Sequence, residues 1–266
     1  MSFLELDTSS SIAQLRMNRP DIANAVYPEA HTELVGALRE IAGRTDLRAL
    51  VISGAGRHFS AGGDLDSIVE AHHSLELRRH MVHEATEMFG ILTRLDIPVI
   101  SAVQGTAAGL GATIAVASDI IVADKNARFI DPHVVLGLVA GDGGVIAWTQ
   151  AMGINRAKRY LLTGDPLSAE SAYDMGVVTD LVDTPEEVLP HALSIAQRIV
   201  SYPPLGVQGT KRTFNKITQQ IAHGTLELGL MLEAESFQAP ELLETVRGMQ
   251  AAKAAAAAAK AKAAGK

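Results

Sequence analysis

Apolar and polar positions alternate across residues 3–17, with a polar break at 8–11, which predicts two strands joined by a turn. Over residues 27–42 the apolar side chains Ala30, Leu34, Ala37, Leu38 and Ile41 recur at helical spacing. Pro28 fits the first turn of that helix, where a missing N–H costs little. Three short runs, at 49–52, 99–103 and 120–123, are apolar without alternation. Strands of that kind are buried on both faces. They are separated by helical patterns such as 77–95, so the chain reads as an α/β layered fold. After Ile199 the strand signals stop, Pro203-Pro204 interrupts the chain, and 207–249 reads as helices. Residues 251–266 (AAKAAAAAAKAKAAGK) favour helix by propensity but offer no apolar face, so a frayed tail is expected, with lysines free to touch phosphate. The expected organisation is a core over 1–200, a helical region over 201–250 and an Ala/Lys-rich tail over 251–266.

Composition narrows the function classes. A chain of 266 residues can bury roughly 70–75% of its unfolded surface and needs no covalent staple. The absence of cysteine excludes disulfides, thiolate catalysis and cysteine-ligated metals. No apolar stretch reaches the ~20 residues that span a bilayer, and the first residues lack a basic segment followed by an apolar run. A cytoplasmic protein without a membrane partner is therefore expected. A net charge of −7 and 4% aromatic residues argue against nucleic acid as a partner.

Two glycine-rich segments follow apolar runs. In Arg57-His58-Phe59-Ser60-Ala61-Gly62-Gly63-Asp64-Leu65 the small residues let the backbone approach a ligand, while Asp64 is also suited to cap the next helix. In Gln104-Gly105-Thr106-Ala107-Ala108-Gly109-Leu110-Gly111 a strand gives way to a helix of small residues, whose first N–H groups lack partners and favour developing negative oxygen. A dinucleotide fingerprint is excluded, because its third glycine position holds Ile114. A serine-hydrolase elbow at Ser60 lacks its leading glycine.

The two segments, followed by the Asp119-Ile120-Ile121-Val122-Ala123-Asp124 strand, resemble the crotonase (enoyl-CoA hydratase/isomerase) superfamily. Met17-Asn18-Arg19-Pro20 with Asn24-Ala25, and Leu162-Thr163-Gly164-Asp165 with Ser168-Ala169 and Gly176-Val177-Val178, extend the resemblance over about residues 3–240. It implies a spiral of ββα repeats, a C-terminal helical trimerisation region, and trimers or dimers of trimers. It also implies an acyl-CoA substrate whose thioester oxygen is held by the backbone N–H groups of Gly63 and Leu110. Substrate and coenzyme contacts carry over to Ala23, Ala25, Ala61, Gly62, Asp64, Leu65 and Thr113. The resemblance implies no metal and no permanently bound cofactor, since coenzyme A arrives as part of the substrate.

The sequence departs from the superfamily's hydratases where their two glutamates stand. Those positions are Thr113 and, after Phe129-Ile130-Asp131-Pro132, His133. Histidine can move a proton near neutral pH and threonine cannot. Asp142 replaces a residue that is usually small, and a carboxylate near His133 would fix the imidazole tautomer. A His133–Asp142 pair resembles that of the superfamily's β-diketone hydrolase, which cleaves a C–C bond without coenzyme A. The bland alternatives are a core histidine and a helix cap. The C-terminal E-K-R-x-P-x-F segment that often contacts coenzyme phosphates is missing, leaving Arg57 and the tail lysines as candidates. His80, His83 and Glu87 share a helix face at metal-ligand spacing, although a solvated face is the simpler reading. Trp148 and residues 228–232 read as core or subunit contacts, and Glu233 and Glu235 as surface carboxylates, the alternative being that they reach an active site from the C-terminal helices. The reading is an acyl-CoA-transforming enzyme with an oxyanion hole and a His–Asp pair. A β-diketone hydrolase and a non-catalytic binding protein are the alternatives.

Overall fold

The unbroken apolar runs become the inner strands of one sheet. The computed structural model describes residues 2–264, with backbone only at 253 and 256–264. Its strands are β1 (Leu4–Asp7), β2 (Ile12–Met17), β3 (Ala49–Gly54), β4 (Val99–Val103), β5 (Thr106–Ala108), β6 (Ile120–Asp124), β7 (Arg128–Ile130), β8 (Leu167–Ser168) and β9 (Asp180–Val182). The larger sheet has the order β1-β2-β3-β4-β6-β9 and is parallel except for the β1–β2 hairpin. The smaller sheet has the order β5-β7-β8. The helices are α1 (Pro28–Gly43), α2 (Leu65–His73), α3 (Leu75–Leu92), α4 (Leu110–Val116), α5 (His133–Leu136), α6 (Gly144–Met152), α7 (Ile154–Leu161), α8 (Ala169–Asp174), α9 (Pro185–Val200), α10 (Pro204–Ala222), α11 (Thr225–Ser236) and α12 (Pro240–Ala264).

A ββα unit repeats along the chain. β4, β5 and α4 form one turn, and β6, β7 and α5 the next. In the two preceding turns single bridges replace the second strand: Val26 pairs with Gly63 after β2, and Ser60 with Ala107 after β3. The expected spiral is therefore present. Side chains of β3 alternate between two cores. Leu50 and Ile52 pack with Leu34, Leu38 and Ile41 of α1, while Ala49 and Val51 pack with Val188 and Ala192 of α9. Each fully buried leucine or isoleucine contributes about 1.5–3 kcal/mol, so both faces of the sheet are committed.

The turn before α1 is held by Asn24, which is fully buried with φ 54°. Its Oδ1 accepts from the Arg19 N–H at 2.8 Å, and its Nδ2 donates to the carbonyls of Ala55, His58 and Phe59. Asparagine tolerates this left-handed backbone better than most residues. The bonds tie the chain before α1 to the glycine-rich segment after β3.

The 201–250 region does not stand apart from the core. Phe237, Leu242 and Val246 pack with Ile68 and Ala71 of α2 and with Leu136 and Leu138, sealing one side of the glycine-rich segments. α12 continues through the alanine run to Ala264, as alanine's helix propensity allows; residues 265–266 of the tail lie outside the described residues. Among the described residues no helix is long and apolar enough to cross a membrane.

Candidate active site

Glycine lets the two loop segments meet backbone to backbone. A Cβ on Gly62 (φ 82°) would sit 2.5 Å from the Ala108 carbonyl oxygen, and one on Gly111 would sit 2.6 Å from the Ser60 Cβ. Val26 pairs with this edge through Gly62 O and Asp64 N, which turns the N–H of Gly63 the other way. The N–H groups of Gly63 and Leu110 donate to no acceptor among the described residues. Leu110 is the first residue of α4, where no intrahelical acceptor exists. Both residues line one cavity of about 150 Å³, with Ala61, Leu65, Ile68, Met81, Leu138, His133, Asp142 and Glu233.

One wall of that cavity is ionisable. β7 ends at Ile130, and Asp131 folds over the start of α5, where its Oδ1 accepts from the His133 N–H at 3.1 Å and lies 2.6 Å from His133 Nδ1. Asp142 Oδ1 accepts from Thr113 Oγ1 at 3.0 Å and from the Gly144 N–H at 3.1 Å. The fourth member comes from α11. Gly229 of that helix touches the backbone of Gly141, where a Cβ would lie 2.3 Å from the Gly229 carbonyl oxygen. One helical turn beyond Gly229, Glu233 reaches the cluster with its Oε1 4.0 Å from His133 Nε2. Gly144 leaves room for the oxygens, since a Cβ there would lie 3.0–3.3 Å from Asp131, Thr113 and Asp142. Asp131 Oδ2, Asp142 Oδ2 and Glu233 Oε2 are buried without a hydrogen-bond partner.

Burial and mutual charge set the protonation states. Burial pulls the His133 imidazole down, but the charge and hydrogen bond of Asp131, with the charges of Asp142 and Glu233, outweigh it and hold it at about 10. Burial pushes Glu233 up to about 8; His133 opposes the rise, and Asp142 and Asp131 add to it. Burial also raises Asp142, against His133, the Gly144 N–H and the Thr113 hydroxyl. Two donors, Thr113 and Gly144, favour the Asp142 carboxylate and the Gly141 backbone favours that of Glu233, but burial outweighs them at both groups. At neutral pH His133 is an imidazolium and Glu233 holds its proton, and burial with the charge of Asp131 draws Asp142 the same way, towards its neutral form.

Several expectations are corrected. The partner of His133 is Asp131, and Asp142 makes neither hydrogen bond nor ion pair with the imidazole. His133 is an imidazolium at neutral pH, not a free base. Asp142 both caps the start of α6 through Gly144 and belongs to the cluster. Thr113 is fully buried and meets Asp142 instead of the cavity. Glu233 is a buried cavity residue, not a surface carboxylate, whereas Glu235 is exposed. Asp64 caps α2 by accepting from Ser67. Ala61 and Leu65 line the cavity, and the Ala23 carbonyl accepts the Ala61 N–H, placing Ala23 and Ala25 beneath that edge. Trp148 is core. Glu87 pairs with Arg39, and His80 faces Thr32.

A model of the enoyl-CoA hydratase/isomerase family matches residues 7–253. The chain belongs to that family. The 2,3-dehydroadipyl-CoA hydratase of Escherichia coli is 30% identical over 237 residues, 89% of each chain. The 1,2-epoxyphenylacetyl-CoA isomerase of the same organism is 30% identical over 230 residues, covering 86% of this chain and 87% of that one. An enoyl-CoA hydratase/isomerase from Mycobacterium paratuberculosis superposes with a TM-score of 0.89 at 33% identity, covering 93% and 98% of the two chains. The protein is thus an enoyl-CoA hydratase/isomerase-like enzyme whose ionisable cluster is built from Asp131, His133, Asp142 and Glu233.

Glu233 couples this cluster to stability. Its folded-state pKa of about 8 lies above the ordinary 4.5, so the folded protein holds that proton more tightly than the unfolded chain. The resulting stability is complete below about pH 4.5 and lost as pH rises through about 8. Urea unfolding of the wild type and Glu233→Gln should therefore diverge in favour of glutamine between about pH 5 and 8, the His133 contribution being largely common to both. A stability difference independent of pH would contradict the assignment.

Proposed function

We propose that the enzyme moves a proton between carbons of an unsaturated acyl-CoA, isomerising its double bond through a thioester enolate. One observation carries the reading: two N–H groups that find no acceptor among the described residues share a cavity with two carboxyl groups, Glu233 and Asp142. The N–H groups of Gly63 and Leu110 would hold the thioester oxygen as it gains charge, each worth roughly 3 kcal/mol of barrier. Asp142 takes a proton from the carbon next to the thioester. The electrons shift into the enolate and the neighbouring double bond, and Glu233 returns a proton to the far carbon. Passing one proton from Asp142 back to Glu233 restores the cluster. His133, held by Asp131, keeps the local charge near balance. The Thr113 hydroxyl and the Gly144 N–H support Asp142 in the ionised form that its step needs.

Relatives named as a CoA hydratase and a CoA isomerase support an acyl-CoA substrate. The apolar lining at Leu65, Ile68, Met81 and Leu138 suits an acyl chain. Coenzyme A is read as running outside the cavity along Ala61, Gly62, Asp64 and Leu65 and past Ala23 and Ala25. A β-diketone hydrolase would rely on a direct His133–Asp142 pair, and no observation favours that reading.

Assembly belongs to the same proposal. Leu205, Phe214 and Ile217 of α10, with Leu228 and Met231 of α11, are 49–78% exposed. Apolar area on that scale favours contact with further copies of the chain in a trimer or dimer of trimers. Analytical ultracentrifugation should read three or six chains, and a monomer at micromolar concentration would contradict this. For the chemistry, Glu233→Gln and Asp142→Asn should each lower kcat for 3-enoyl-CoA isomerisation by about 10²–10⁴-fold with little change in KM. Full turnover in either variant would remove that residue from the reaction, and 2-enoyl-CoA hydration by the wild type without isomerisation would replace the proposed reaction.

A further inference from the structure

A fourth polar side chain faces the cavity apart from the ionisable cluster. His31 lies in the first turns of α1 and lines the cavity beside Met81, Val82 and Ala85 of α3. It is only 7% exposed. Its backbone N–H bonds to Tyr27, but its ring has no hydrogen-bond partner among the described residues. Packed on its other sides, the residue forms part of the cavity wall. Burial, with the charge of His80, holds the imidazole down at about 4, and no charge of the cluster contributes. The ring is therefore neutral and offers one N–H and one lone pair to a part of the cavity where its neighbours Met81, Val82 and Ala85 are apolar. A ligand of pure hydrocarbon would leave both unpaired, which buried polar groups avoid.

We propose that His31 is a specificity-determining residue that hydrogen-bonds a neutral oxygen function, a hydroxyl or ketone, on the acyl chain of the thioester. The proposal rests on the acyl-CoA reading and narrows its substrate class to oxygenated acyl chains. A neutral imidazole suits either group, by donating to a ketone or accepting from a hydroxyl, whereas a chain ending in methyl satisfies neither nitrogen. Met81, Val82 and Ala85 pack the chain around that point without competing for the bond.

Binding of saturated acyl-CoAs, which cannot react, tests this independently of the chemistry. The series carries no oxygen, or one ketone or hydroxyl at successive carbons, and is titrated by calorimetry into the wild type, His31→Leu and His31→Gln. At one chain position the wild type should bind the oxygenated ligand about tenfold more tightly than the hydrocarbon, as one well-placed hydrogen bond allows. Leucine should abolish or reverse that preference, and glutamine, which keeps a donor and an acceptor, should restore part of it. The ring nitrogen-15 shifts of His31 should move with the oxygenated ligand and stay with the hydrocarbon, a readout that holds even where a variant fails to fold. Preference for hydrocarbon at every position, or an unchanged preference in folded His31→Leu, overturns the proposal while leaving the acyl-CoA reading intact. Failure of every acyl-CoA to bind overturns both.

Discussion

Three carboxyl groups and one imidazole share a buried wall, and they cannot all carry charge at once. Unlike charges at close range attract strongly where water is excluded, and like charges repel as strongly. The 2.6 Å contact between Asp131 and His133 takes the first step, binding a proton on the imidazole well above neutral pH. With that pair formed, the remaining carboxyls, Asp142 and Glu233, compete for one counter-charge. Burial raises both and leaves Glu233 protonated, while Thr113 and Gly144 favour the ionised form of Asp142. The proposed acid and base answer to that same constraint.

That constraint holds only because the fold brings distant segments within hydrogen-bond reach. Asp131 and His133 leave a strand of the small sheet, Asp142 stands before α6, and Glu233 arrives on a helix some ninety residues further along. Glycine makes the approach feasible. Gly141 and Gly229 let α11 touch the loop before α6, Gly143 lies where a Cβ would overlap the ring of Phe89, and Gly144 leaves space for the carboxyl oxygens. A side chain at Gly141 would push α11 outward and remove Glu233 from the cluster. The C-terminal helices thus complete the site in addition to offering apolar surface for assembly.

The sheet was legible because its inner strands are buried on both faces, so 49–52, 99–103 and 120–123 stand out as apolar runs. The glycine-rich segments were legible because close backbone approach demands small residues, and Gly63 and Leu110 do face the cavity. His133 and Asp142 both line the cavity, but the imidazole's hydrogen-bond partner is Asp131, which is two residues from His133 and turns toward it only because β7 ends at Ile130. Glu233 carried no local signal, since α11 has charged and apolar residues on several faces. Its burial follows from the Gly141–Gly229 contact, and the one hint in sequence was Gly229 placed four residues before it. In the tail, the helix propensity of alanine was legible, and α12 runs through it to Ala264.

Nitrogen-15 NMR of the His133 ring tests the shared-proton arrangement most directly. Both ring nitrogens should remain protonated from about pH 6 to about pH 9 in the free enzyme, with the titration near 10, and Asp131→Asn should bring it down toward the ordinary range. A His133 ring that loses its proton near the ordinary histidine pKa of about 6.5 in the wild type would contradict the arrangement, and with it the assignment of Glu233 and Asp142 as acid and base.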